Sequence, residues 1–150
     1  DFAAARAYYA QAAEAGLAPA MFNLGFMKLR ALGGERNEVE ARALFEKAAH
    51  LGEVNAITFL GVMMMTGEGG PKQFAEAQAW WDKGAELGDN RCAFNLGMAH
   101  AGGHGKEQPD FVEAWRWFSR AHDMGNHSAG PELERLASVL TEDERRQIEG

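Results

Sequence analysis

Apolar residues recur three and four positions apart along the chain, and no stretch of any length alternates in the period-two manner of a strand. In 74–87 they fall at Phe74, Ala77, Trp81 and Ala85, a one-sided stripe of helical period. That stripe repeats. Ala5, Ala41, Ala77 and Ala114 align, as do Tyr9, Phe45, Trp81 and Phe118, and as do Ala12, Ala48, Gly84 and Ala121. The dipeptide Leu-Gly returns at Leu24-Gly25, Leu60-Gly61 and Leu96-Gly97. A second glycine series stands at Gly16, Gly52, Gly88 and Gly125. The interval is 36 residues, stretched to 37 by one extra residue within 102–110. A period of this size is the signature of stacked supersecondary units.

Each unit reads as two helices. The first is expected over 18–32, 54–66 and 90–101, stopping at Gly33-Gly34, at the glycines of 67–71 and at Gly102-Gly103. The second opens at Asp1, Asn37, Gln73 and Asp110 as N-caps, with Glu40, Glu76 and Glu113 placed to complete capping boxes. It ends on the second glycine series, where a left-handed C′ residue belongs. Short links between helices make neighbours antiparallel. A glycine inside a helix costs about 1 kcal/mol relative to alanine. The repeated Leu-Gly therefore implies a compensating close approach, expected between Gly25, Gly61 and Gly97 and the small Ala41, Ala77 and Ala114. Such pairs cannot bury both faces alone, so the expected fold is all-α, a solenoid of stacked helix pairs. The repeats span 1–128. Residues 129–150 form a degenerate capping pair: Leu133 keeps register but Glu134 replaces its glycine, Pro131 suits a first turn, and Thr141 with Glu144 offers a capping box for a last short helix.

Composition narrows the function. Fifteen basic against twenty-two acidic residues leave a net charge of −7, which disfavours nucleic acid as a partner. A single cysteine excludes an internal disulfide framework and a cysteine-rich zinc module. No apolar run approaches the length of a membrane span. The chain opens at Asp1 on the second helix of a unit, as expected of a processed or excised piece.

An alanine followed by Leu-Gly, a glycine-bearing turn, Asp or Asn before a conserved-register alanine, and an aromatic before Ala-Ala-x-x-Gly together resemble the Sel1-like repeat, a relative of the tetratricopeptide repeat with a longer turn. The stretch 60–88, LGVMMMTGEGGPKQFAEAQAWWDKGAELG, carries the pattern most fully. The first turn, Leu32-Gly33-Gly34-Glu35-Arg36, lacks the clean Gly-x-Gly. The resemblance covers about 1–129 and implies a tetratricopeptide-like superhelix acting as a non-catalytic adaptor or scaffold for proteins or peptides. It favours the bacterial envelope or periplasm over the cytoplasm. The alternative it leaves open is a recruiting or regulatory domain excised from a larger enzyme or a membrane-anchored envelope protein.

The residues add no chemistry of their own. His100 and His104 are four apart, but Gly102-Gly103 ends the helix between them. His122 and His127 straddle Gly125, and no carboxylate stands at a ligand offset, so no metal and no cofactor is expected. Cys92 shares the small column of Ala20 and Ala56 and is expected to be buried. Gly102 to Lys106 has neither the spacing nor the preceding strand of a phosphate loop. Attention falls on the first helix of each pair. Its columns Phe22/Thr58/Phe94, Phe26/Val62/Met98 and Leu29/Met65/Ala101 point about 120° away from the stack-facing residues at ~100° per residue. In the tetratricopeptide relatives these columns line the concave face. The expected partner-binding stripe is thus Phe22, Phe26, Leu29, Val62, Met65, Phe94 and Met98, with the methionines supplying adaptable contacts. Trp115 joins it as a candidate anchor: its column reads Arg6, Arg42, Gln78, Trp115, a position expected to face water. The competing expectation is that Trp115 packs under the C-terminal segment, against Leu136 or Leu140.

Overall fold

A computed structural model describes residues 1–150 throughout. The chain forms nine helices and no strand: α1 (Phe2–Glu14), α2 (Ala18–Leu29), α3 (Glu38–His50), α4 (Val54–Thr66), α5 (Phe74–Glu86), α6 (Asn90–Gly102), α7 (Phe111–Asp123), α8 (Ala129–Val139) and α9 (Glu142–Glu149). It divides into two compact units, Asp1–Trp80 and Trp81–Gly150. In the first, α1 packs on α2, α2 on α3 and α3 on α4. In the second, α6 packs on α7, and α7 also carries α8 and α9. The fold is the antiparallel helix-pair repeat that the columns predict.

The glycine series works as expected. Gly16, Gly52, Gly88 and Gly125 all hold φ between 86° and 95°. Each donates its amide to a carbonyl three back, and the next residue reaches five back, for example Gly52 to Ala49 and Glu53 to Ala48. This paired closure satisfies the carbonyls that a helix end leaves open. The first of the predicted helices is shorter than its sequence suggests, ending at Leu29 instead of 32. The reason is Ala31, the one non-glycine residue with positive φ, at 56°. It occupies the repeat position of Gly67 and Gly103, which end α4 and α6 in the same left-handed conformation.

The capping boxes at the second helices do not close. Asn37 and Asp110 accept from the amides of Glu40 and Glu113, which is half of the box. The other half is unavailable because their own amides are already spent: Asn37 donates to the Lys28 carbonyl and Asp110 to the His100 carbonyl. The same bond joins Gln73 to Met64. It pins the start of each second helix to the end of the first. Freed from the box, Glu40 pairs with Lys28, and Glu113 with Arg116. The full box forms only at α9, between Thr141 and Glu144.

The helical glycines mark a close approach, but chiefly to the aromatic column. A Cβ on Gly97 would lie 2.6 Å from ring atoms of Phe118, and one on Gly25 would lie 2.9 Å from the Phe45 ring and 3.3 Å from the Ala41 carbonyl oxygen. Phe45 and Phe118 are fully buried, as are Ala41 and Ala114. The glycine offsets its helix cost by admitting a large ring flat against the backbone.

The column of Arg6 and Arg42 corrects the sequence reading most clearly. Arg42 is only 6 % exposed. It leaves α3 for the turn that joins α4 to α5. There Nη2 donates to the Pro71 carbonyl at 2.9 Å and to Gln73 Oε1 at 2.7 Å, while Nη1 donates to the carbonyls of Glu68 and Met63 at 3.3 and 3.5 Å. The guanidinium lies over Gly70, where a Cβ would come within 2.9 Å of it. Arg6 repeats the arrangement one unit earlier, donating from α1 to the carbonyls of Leu32 and Glu35 and lying over Gly34. The position is a staple into the following turn. It fails to face water because the turn offers more carbonyls than its own amides can satisfy.

Candidate partner-binding face

The predicted stripe separates into rings that belong to the core and side chains that stand free. In the first unit, α2 and α4 carry it. Phe22 and Phe26 are half-buried in a four-ring cluster with Phe45 and Phe59. Phe22 meets Phe45 and Phe59 with centroids 5.6 Å apart, and Phe26 meets Phe59 edge-on at 5.8 Å. Such pairs add about 0.5–1.5 kcal/mol each beyond the area they bury. Leu29 is 8 % exposed and belongs to the core, so only its edge reaches the surface. Thr58 is buried as well, its hydroxyl donating to the Val54 carbonyl. Val62 stands out at 40 % exposure, with Met65 half-buried one turn along α4.

In the second unit α6 carries the stripe. Phe94 is half-buried against Phe118, centroids 5.4 Å apart. Met98 is 41 % exposed. Trp115 does not stand alone in solvent. It is half-buried and lines a cleft of about 180 Å³ with Ala137, Leu140, Arg145, Ile148 and Glu149. The structure thus seats it against the C-terminal helices, the competing expectation above, and its value as a free anchor falls accordingly.

Charge around the face is uneven. Lys28 holds Glu40, and this pairing keeps the Glu40 carboxyl below the usual carboxylate range. Arg36 is held by Glu38 and Glu68 at 2.6 Å each. Arg30 follows Phe22 and Phe26 at the same four-residue step, and its guanidinium lies over the Phe26 ring, 5.8 Å from the centroid. It pairs with no carboxylate of the chain. A shallow cleft of about 310 Å³, lined by Leu29, Arg30, Ala31, Arg36 and Glu68, opens beside it.

Titratable groups elsewhere serve structure. Burial alone would raise the Asp89 carboxyl, but bonds from the Arg91 side chain and from the amides of Cys92 and Arg91 outweigh it and hold the value low. Asp89 is the N-cap of α6. His100 sits in α6 with its Nδ1 buried and unbonded. Burial first, then Lys106, lowers its affinity for a proton, against the pull of Asp110, Glu113 and Asp82. Burial raises the Asp82 carboxyl. Cys92 is fully buried in the small column, as its register predicts. No three His, Cys, Asp or Glu side chains converge in an ion-holding arrangement, and no helix is long and apolar enough to cross a membrane.

Two residues escaped the columns. Phe59 precedes Leu60 and matches Asn23 and Asn95 in register, so nothing in the repeat marked it as the ring that joins α2 to α4. Arg30 was missed because its column continues as Thr66 and Gly102, without charge. Its four-residue step from Phe26 was the available signal.

Comparison with known proteins is consistent with this geometry. The family described as Sel1 repeat matches four times, over residues 1–17, 18–53, 54–89 and 90–126. These bounds place α2 with α3, α4 with α5 and α6 with α7. No curated protein matches the chain. Among solved structures, a Sel1 repeat protein from Oxalobacter formigenes is 30% identical with a TM-score of 0.84, over 90% of this chain and 55% of its own. A protective antigen present in uropathogenic Escherichia coli strains, described as displaying an SLR fold, is 32% identical with a TM-score of 0.83, over 96% of this chain and 31% of its own. The chain therefore spans about half the length of the first and under a third of the second.

Proposed function

The chain belongs to the Sel1 repeat family, and from that premise we propose that it is a non-catalytic adaptor whose first-helix face docks a segment of a protein partner. Sel1 repeats generally serve as protein-interaction scaffolds. The observation that carries the finer reading is the exposure of Val62 and Met98. They fall in one repeat column and remain at 40 and 41 % exposure while the leucines and glycines beside them are buried. An apolar side chain kept in water at the same place in successive repeats costs solubility without adding to the core. In the first unit Phe22, Phe26 and Met65 give Val62 a half-buried apolar floor, and in the second Phe94 does the same for Met98. A partner side chain laid on such a floor completes its desolvation, which is the setting of a hot spot.

The test separates floor from surface. Val62→Asp and Met98→Asp place a charge where solvent already reaches, so the melting temperature should move by no more than a degree or two while partner capture falls. Phe94→Ser, by contrast, breaks the stack on Phe118 and should lower both. Unchanged capture by both aspartate variants rules the face out.

A further inference from the structure

Resting on the docking reading just given, we infer that the segment docked on the α2–α4 face carries an acidic side chain beside its apolar anchors, and that Arg30 receives it. Three observations converge on this residue. Arg30, the C-cap residue of α2, follows Phe22 and Phe26 at the same four-residue step, so it borders the face at the end of the helix. In a chain of net charge −7, where Lys28 is taken by Glu40 and Arg36 by Glu38 and Glu68, Arg30 is left without a carboxylate. Its guanidinium is stacked on Phe26, itself part of the apolar floor, and the cleft beside it has room for an entering side chain.

The chemistry favours a carboxylate. A guanidinium presents a planar pair of donors that matches two carboxylate oxygens, and stacking on an aromatic ring orients it before contact. An apolar anchor on Phe26 would exclude water from one side of the pair, which strengthens it beyond an ordinary surface pair. A neutral apolar segment would leave Arg30 partly desolvated and unpaired, a penalty that discriminates against it. The arrangement thus selects an amphipathic segment with Glu or Asp within a turn of its apolar residues.

The probe is a phage-displayed library of random twelve-residue peptides, selected on the whole chain and on its Arg30→Glu and Val62→Asp variants. One enriched peptide is then labelled and titrated by fluorescence anisotropy. Wild type should enrich peptides with an acidic residue close to an apolar pair. Arg30→Gln should weaken the titrated peptide about threefold to tenfold, as loss of one partly shielded ion pair requires, and flatten its salt dependence. A peptide with Lys in place of the acidic residue should bind Arg30→Glu better than wild type. Because Arg30 is exposed, these variants should melt with wild type. Enriched peptides that lack an acidic preference, or that bind Arg30→Glu unchanged while Val62→Asp abolishes them, overturn the inference and leave the docking reading standing. Peptides indifferent to Val62→Asp, or no enrichment at all, overturn both.

Discussion

Arg42 and Trp115 hold the same position of the repeat in the two units and do their work with opposite chemistry. From α3, Arg42 reaches a glycine-bearing turn rich in free carbonyls and satisfies four acceptors. From α7, Trp115 reaches the α8–α9 corner, where no such turn exists. There Arg145 of α9 itself donates to the carbonyls of Leu140 and Ala137, and what remains to be covered is apolar. The position is therefore defined by its task, holding the following turn, and the side chain follows from what that turn leaves unsatisfied. An arginine and a tryptophan in one column look unrelated until the turn they serve is considered.

The largest expected effect sharpens that contrast. Arg42→Ala takes the donors from the part-buried carbonyls of Glu68 and Pro71 and from Gln73 Oε1 and loosens the α4–α5 turn, and should cost about 3 kcal/mol. Trp115→Ala should cost about half as much, because the α9 contact is partly open and Arg145 still caps α8. Denaturant melts of both variants decide it; equal losses would mean that the two positions are not doing different work. The next effect compares the glycines. Gly97→Ala should destabilise by about 2 kcal/mol and Gly25→Ala by about 1 at most, since the Phe118 ring lies closer than the Phe45 ring and helix propensity refunds some of either loss.

A smaller effect is confined to the second unit and appears with pH. His100 binds a proton less readily when folded, so stability is fully present above the ordinary histidine value of about 6.5 and declines as pH falls through the lower folded value. His100→Gln should flatten the urea midpoint between pH 7.5 and 5. The lowered Asp89 carboxyl adds a separate loss below about pH 4, as protonation removes the α6 cap. The smallest effect is a gain in the first unit. Ala31→Gly relieves a left-handed alanine, partly offset by the added freedom of the unfolded chain, and should raise stability by up to about 1 kcal/mol. A loss there would contradict the reading of Ala31 as the strained member of a glycine column.

The repeat register was legible because it rests on features that periodicity displays: small residues where helices meet, glycines at left-handed corners, rings opposite glycines. Helix ends were legible wherever glycine marks them and misread at Ala31, where a residue without that signature adopts the same angle. The capping boxes were misread because an N-cap amide can be consumed by a neighbouring helix, a bond between Asn37 and Lys28 that local spacing does not reveal. The proposed stripe was half legible. Helical angle identified which columns leave the stack, yet it could not show that Phe59 would turn in and gather Phe22 and Phe26 into a ring cluster, or that Leu29 would be covered. Arg42 was assigned to water from the polar make-up of its column, whereas its burial follows from carbonyls more than twenty residues away in sequence.

The free apolar side chains on the first helices are the proposed contact surface. The most direct measurement installs a photo-crosslinking amino acid in turn at position 62 and at position 51. Val62 lies on the proposed face, and Leu51 is an apolar residue outside it that is more exposed, at 59 % against 40 %. After irradiation in the source cell, crosslinked products are compared. A discrete partner band is expected at position 62, abolished when Met65→Asp is added, with none of that mass at position 51. A partner band at position 51 with none at 62 would overturn this reading and move the interaction to the α3 C-terminus.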